Sequence, residues 1–90
     1  MSYTVVWTPT AEQDLAAIWM KVQDREAINS ASNTIDALLQ HDPESRGESR
    51  YDSVRVMFVP PLGVDFDVSE DDRFVYVLTV WLIEKRKSSS

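Results

Sequence analysis

Residues Phe74 to Ile83 are apolar at every position but Thr79. The run is too short to span a membrane, which takes about 20 residues. It also lacks the alternation of a strand with one wet face. It has the pattern of a strand covered on both sides, and therefore of a central place in a sheet. The rest of the chain must supply what pairs with that strand and what covers it.

Tyr3-Thr4-Val5-Val6-Trp7 reads as a second strand, β-branched and aromatic, with Tyr3, Val5 and Trp7 on one face. Thr8-Pro9 then starts a helix, with Thr8 as N-cap and Pro9 where its missing N–H costs nothing. Ala11, Leu15, Ile18, Trp19 and Val22 form its apolar stripe. Asp24 caps a second helix that runs to about Gln40 and carries Ala27, Ile28, Ala31, Ile35, Leu38 and Leu39 on one side. Asp42-Pro43 stops it, because the residue before proline avoids helical backbone. The short connection predicts an αα-hairpin.

Residues 42–52 are polar and are expected to form the longest non-regular stretch. Two further strands follow. Val54, Val56 and Phe58 alternate with Arg55 and Met57, and Val64, Phe66 and Val68 alternate with Asp65 and Asp67. Pro60-Pro61-Leu62-Gly63 turns between them, and Ser69 to Asp72 forms an acidic hairpin loop. The expected fold is α+β, a two-layer β-αα-βββ domain over residues 1–83. Its helix hairpin packs on one face of a mostly antiparallel four-stranded sheet, and the other face is open. Residues 84–90, charged and then serine only, are expected to be disordered.

Composition excludes several classes. At 43% hydrophobic the chain is not disordered, and 90 residues make one domain. Without cysteine there is neither a disulfide framework nor a thiolate metal site. Residues 1–7 lack the basic flank and long apolar stretch of a secretion signal, so a soluble cytoplasmic protein with no membrane contact is expected. A domain of this size buries only about 60–65% of its unfolded surface, so a partner would help it. The net charge is −6. Three of the nine bases lie in Lys85-Arg86-Lys87, which leaves residues 1–83 with fourteen acids and six bases. Such a field repels phosphates and favours a protein or small-molecule partner. Phosphate loops, nucleotide fingerprints and Ser-His-Asp sets are missing, so no cofactor is expected.

Taken in order, Tyr3-x-Val5-x-Trp7-Thr8-Pro9, Ala11-x-x-Asp14-Leu15-x-x-Ile18-Trp19, Ile35-Asp36-x-x-Leu39, Asp42-Pro43, Gly47-Glu48-Ser49-Arg50, Arg55, Pro61-Leu62-x-Val64-x-Phe66-x-Val68 and Asp72-Arg73 resemble the RelE/ParE superfamily. These are the toxins of type II toxin–antitoxin modules, also called plasmid-stabilisation proteins. The resemblance spans about residues 3–83. It implies a compact toxin fold held by a cognate antitoxin that wraps it with a helix or an added strand. It also implies one of two activities: cleavage of mRNA on the ribosome, or poisoning of DNA gyrase without nuclease action.

The ribonuclease branch uses a basic residue in the first strand of the meander, an arginine entering the second, and a basic plus aromatic or His set closing the last. Arg55 matches the first position, Gly63 stands at the second, and Lys85 and Arg86 stand at the third without a following Tyr or His. The resulting catalytic candidates are Arg50, Arg55, Lys85 and Arg86. The leading expectation is a toxin-like protein that acts by binding a translation or replication target. A ribosome-dependent endoribonuclease and a degenerate, non-toxic interaction domain or homodimer are the alternatives.

Arg46, Arg50, Arg55 and Arg73 would form a local basic patch for a nucleic acid or other target, unless they pair with Glu44, Glu48, Asp52 and Asp65, the commoner fate of such residues. Asp65 and Asp67, two apart on one strand face, would meet a cation or the basic residues of an antitoxin, or simply line a wet face. Trp81, like Trp7 and Trp19, is a core residue or an interface anchor for a partner. His41 suits a helix C-terminus. With one His and no Cys, no metal site is expected.

Overall fold

The computed structural model describes residues 2–83. The chain runs β1 (Thr4–Trp7), α1 (Pro9–Lys21), α2 (Arg25–Gln40), a 3-10 turn (Pro43–Ser45), β2 (Glu48–Tyr51), β3 (Val54–Val59), β4 (Leu62–Ser69) and β5 (Phe74–Leu82). Both helix starts follow from their capping residues. The Thr8 hydroxyl accepts the Ala11 N–H at 3.2 Å and the Asp24 carboxylate accepts the Ala27 N–H at 3.1 Å, each satisfying a donor that the first helical turn leaves free. Asp42 then takes left-handed backbone, φ 53°, ahead of Pro43.

The sheet has five strands, in the order β1-β5-β4-β3-β2. β1 runs parallel to β5 and every other neighbour is antiparallel. The α+β, two-layer expectation holds; the four-stranded β-αα-βββ count does not, because the polar stretch 42–52 supplies β2. All four β2 residues are exposed, so hydrophobic alternation does not mark it. Backbone pairing with β3 makes it a strand, through a turn where Asp52 adopts φ 49°.

Residues paired directly across neighbouring strands share a face, and the register therefore sorts the side chains. Leu62, Val64, Phe66, Val75, Val77 and Val80 point toward the helices and join Ala11, Ile18, Ile28, Ala31, Ile35 and Leu39 in the core. Tyr3, Val5 and Trp7 pack against the same core. The open face carries Phe58, Gly63 and Trp81 in one row, Val56, Asp65 and Thr79 in the next, and Val54, Asp67 and Tyr76 in the third. One expectation for β5 is corrected here. Val75, Val77 and Val80 on its helix side are buried, but Phe74, Tyr76, Thr79 and Trp81 on the other side are only half-buried, and among the described residues no layer covers them.

β5 outruns β1, which ends opposite Val77. Past that point the outward amides of β5 need other partners. The Thr8 hydroxyl donates to the Val77 carbonyl at 2.8 Å, with the Leu78 carbonyl at 3.3 Å. The Asp14 carboxylate accepts the Val80 N–H at 3.1 Å. Two α1-side residues thus complete the edge that β1 leaves unfinished. Asp14→Ala is expected to lower stability by about 1–3 kcal/mol by orphaning that amide, whereas Asp14→Asn keeps an acceptor and loses less. Urea unfolding monitored by circular dichroism checks both; equal losses would refute the assignment.

Candidate functional site

The open sheet face gathers most of the side chains that lack a structural duty in the core. At one corner the Trp81 indole lies across Gly63. A Cβ at Gly63 would sit 2.6–2.8 Å from three atoms of the ring, closer than packing permits, so the flat approach of the indole requires glycine. Phe58 stands edge-on to the indole, with centroids 6.2 Å apart at 78°, and is 58% exposed. Farther along the face, Phe74 and Tyr76 are in contact at 5.8 Å. Tyr51, opposite Val54, is exposed at the outer edge.

An ion pair occupies the middle of the face. The pairing of β2 with β3 shifts between Ser49 and Tyr51, leaving Arg50 as the extra residue of a bulge. Its Nη1 lies 2.7 Å from Asp65 Oδ1. The Thr79 hydroxyl donates to Asp65 Oδ2 at 2.9 Å, so both carboxylate oxygens are partnered. The Asp65 side chain is 12% exposed and that of Arg50 is 47% exposed. The wet-face reading of Asp65 is therefore corrected: a carboxylate this covered is kept there by its cation and its hydroxyl. Asp67 shares the face with Asp65 and is half-buried opposite Val54 and Tyr76.

The four arginines expected to form a patch are not together. Arg55 pairs with Phe66 and so lies on the helix-facing side of β3, opposite to Arg50. Its guanidinium donates to the Arg46 carbonyl at 2.9 Å and the Gly47 carbonyl at 3.2 Å. It lines an open concavity of about 500 Å³ with Glu44, Ser53, Val68, Glu70 and Asp71. Arg46 reaches the His41 carbonyl at 3.4 Å. Arg73, at φ 57° beyond the acidic loop, lies 5.3 Å over the Tyr3 ring. Lys85 and Arg86 lie outside the described residues. Among those described, no cluster of His, Asp and Glu has the makings of a metal site.

A second apolar surface lies on the outside of the helix hairpin, where Leu15, Ala16, Trp19 and Met20 border an open groove with Glu12 and Asn29. Met20 is 71% exposed, and the Arg25 guanidinium stacks 4.3 Å from the centre of the Trp19 ring. Trp7, by contrast, packs on the core and donates its indole N–H to Asp36 at 3.1 Å. Sequence reasoning singled out Trp81, Asp65 and Arg50 but missed Phe58, Gly63, Tyr51 and Tyr76. The available signal was the excess of apolar residues in β5 over what one covered face needs.

This two-layer arrangement is shared by solved toxins. The toxin–antitoxin complex RelBE2 from Mycobacterium tuberculosis superposes with a TM-score of 0.74 at 19% identity, covering 91% of this chain and 92% of that one. The chromosomal ParDE system from P. aeruginosa gives 0.72 at 22% identity, covering 92% and 98%. The intact E. coli RelBE complex gives 0.57 at 15% identity, covering 93% and 100%. None of the curated proteins matches the sequence. The family model described as the ParE toxin of the type II toxin–antitoxin system parDE matches residues 5–83. The chain belongs to the ParE toxin family of type II toxin–antitoxin systems.

Arg50→Ala is expected to cost about 1–3 kcal/mol because it strands the covered Asp65 carboxylate. Arg50→Ala combined with Asp65→Ala should cost less than the two single changes added together. A double-mutant cycle in urea checks this, and strict additivity would show that the pair is uncoupled. Gly63→Ala is expected to push the indole off the sheet, seen as a shifted Trp81 side-chain N–H resonance.

Proposed function

We propose that the chain is the toxin of a two-protein module, that a cognate antitoxin neutralises it, and that it arrests growth by binding a replication or translation target rather than by cutting RNA. Support for the antitoxin comes from the RelBE2 and E. coli RelBE structures, both toxin–antitoxin complexes. The observation that carries the non-cleaving mode is the separation of Arg50 and Arg55 onto opposite faces of the sheet.

Cleavage through 2′-OH attack needs a base for the hydroxyl proton, cations on the phosphate and an acid for the leaving oxygen, all converging on one point. Two arginines on opposite faces cannot hold a single phosphate. Asp65 has both oxygens engaged, which removes the carboxylate nearest Arg50 as a ready base. His41, the only histidine, caps the far end of α2 and pairs its backbone with Ser2.

Expression of the chain alone is expected to arrest growth, and co-expression with its neighbouring gene product to restore it. The purified protein with ribosomes and mRNA is expected to produce no new RNA ends. Arg55→Ala should arrest growth as the parent does. Ribosome-dependent cleavage that Arg55→Ala abolishes would overturn the non-cleaving mode, and no arrest would overturn the toxin assignment.

A further inference from the structure

We infer that the open sheet face, from Trp81 and Phe58 to Glu48 and Asp67, docks a basic, apolar segment of the target protein, with cationic side chains alternating with aliphatic or aromatic ones. The inference deepens the proposal that the chain acts by binding, and rests on it.

Three observations converge. The first is hydrophobic. β5 carries the composition of a strand covered on both sides, yet Phe74, Tyr76 and Trp81 lie on a face that no layer covers among the described residues. Phe58 and Tyr51 on the same face are 58% and 57% exposed. A set of exposed aromatic side chains on one sheet face is the composition of a recognition surface.

The second is charge. The sole cation that the described residues place on this face is Arg50, and Asp65 cancels it at 2.7 Å. Glu48 and Asp67 remain, on the rows of Val56 and Val54 respectively, with Asp52 in the adjoining turn. Among the described residues, the uncompensated charge beside the aromatic side chains is therefore negative. A partner with positive charge is attracted to it and one with phosphates is repelled.

The third concerns where the other cations are. Each of the remaining arginines of residues 2–83 has an intramolecular partner. Arg25 meets the Trp19 ring and carbonyl, Arg46 the His41 carbonyl, Arg55 two carbonyls, and Arg73 the Tyr3 ring. Among the described residues nothing builds a phosphate track across the face, although the exposed aromatics would stack bases as readily as side chains. Trp81, held flat on Gly63, instead offers its ring to an arginine or lysine, and neighbouring carboxylates strengthen that contact.

The test uses the full chain, ¹⁵N-labelled, with three probes: a nine-residue peptide alternating Arg and Val, the same length alternating Glu and Val, and a nine-nucleotide oligo(U) RNA. The Arg–Val peptide is expected to shift the Trp81 indole resonance and those of Thr79 and Gly63, and the other two to leave them in place. Glu48→Lys combined with Asp67→Lys, both outside the core, should weaken the Arg–Val peptide about tenfold or more. Phe58→Ser, at an exposed position, should weaken it without altering the unfolding midpoint. Failure of the Arg–Val peptide to shift these resonances, or RNA binding that the Lys variants strengthen, would overturn the inference. So would a Glu48→Lys/Asp67→Lys protein that still arrests growth but escapes the antitoxin, since the face would then belong to the antitoxin. The peptide and RNA outcomes do not depend on whether the wild-type chain arrests growth, so the docking inference and the toxin proposal fail separately.

Discussion

A strand with one polar side chain still carries a backbone donor and acceptor at nearly every residue, and inside a sheet those groups must be matched without water. β5 meets this demand from both sides and organises the molecule by doing so. On one side it pairs with β4 from Phe74 to Leu82, through a register shift at Leu78. On the other it pairs with β1 only as far as Val77. Thr8 and Asp14 take over where β1 stops. Thr8 also caps α1, so a single hydroxyl fixes both the start of the helix and its position against the sheet. The helix hairpin is thereby held to the strand by hydrogen bonds as well as by Ile18, Ile28 and Ile35 in the core.

Among the described residues, that arrangement leaves one face of the sheet without a layer. The face is not simply polar, as the solvent side of a sheet commonly is. It holds a covered carboxylate, Asp65, paired with the half-exposed Arg50 in the middle of an aromatic surface. An ion pair in such a place contributes little net stability, because desolvation offsets most of the attraction. The pair holds the bulge of β2 against β4 and engages the one cation that the described residues place on the face.

Much of the fold was legible in the sequence because it rests on local chemistry. Thr8-Pro9 and Asp24 mark the helix starts, Asp42-Pro43 marks a stop, and β4 and the Ser69 to Asp72 loop follow their patterns. β2 was not legible, since Glu48-Ser49-Arg50-Tyr51 has no buried side chain and owes its strand geometry to β3. The site was half legible. Asp65 and Arg50 could be paired by charge. The placement of Arg55 on the opposite face could not be foreseen, because it depends on the register of β3 against β4 and a slip of one residue reverses every side chain. Gly63 looked like a turn residue; its contact with Trp81 links two positions far apart in the chain.

The two apolar surfaces differ in what they ask of a partner. The groove beside Trp19 and Met20 lies on the helix hairpin, and Arg25 supplies its cation. The open sheet face carries Glu48 and Asp67 and has its own cation neutralised. One partner element does not complement both surfaces equally well. Two apolar surfaces on opposite layers, one bordered by Glu12 and the Arg25–Trp19 stack and the other by Glu48 and Asp67, differ enough in chemistry to select different contacts. Acidic groups around the aromatic face then have a use beyond solubility. Negative charge there disfavours phosphates on a surface where flat side chains would otherwise stack bases, which is the charge pattern that the proposed basic segment requires.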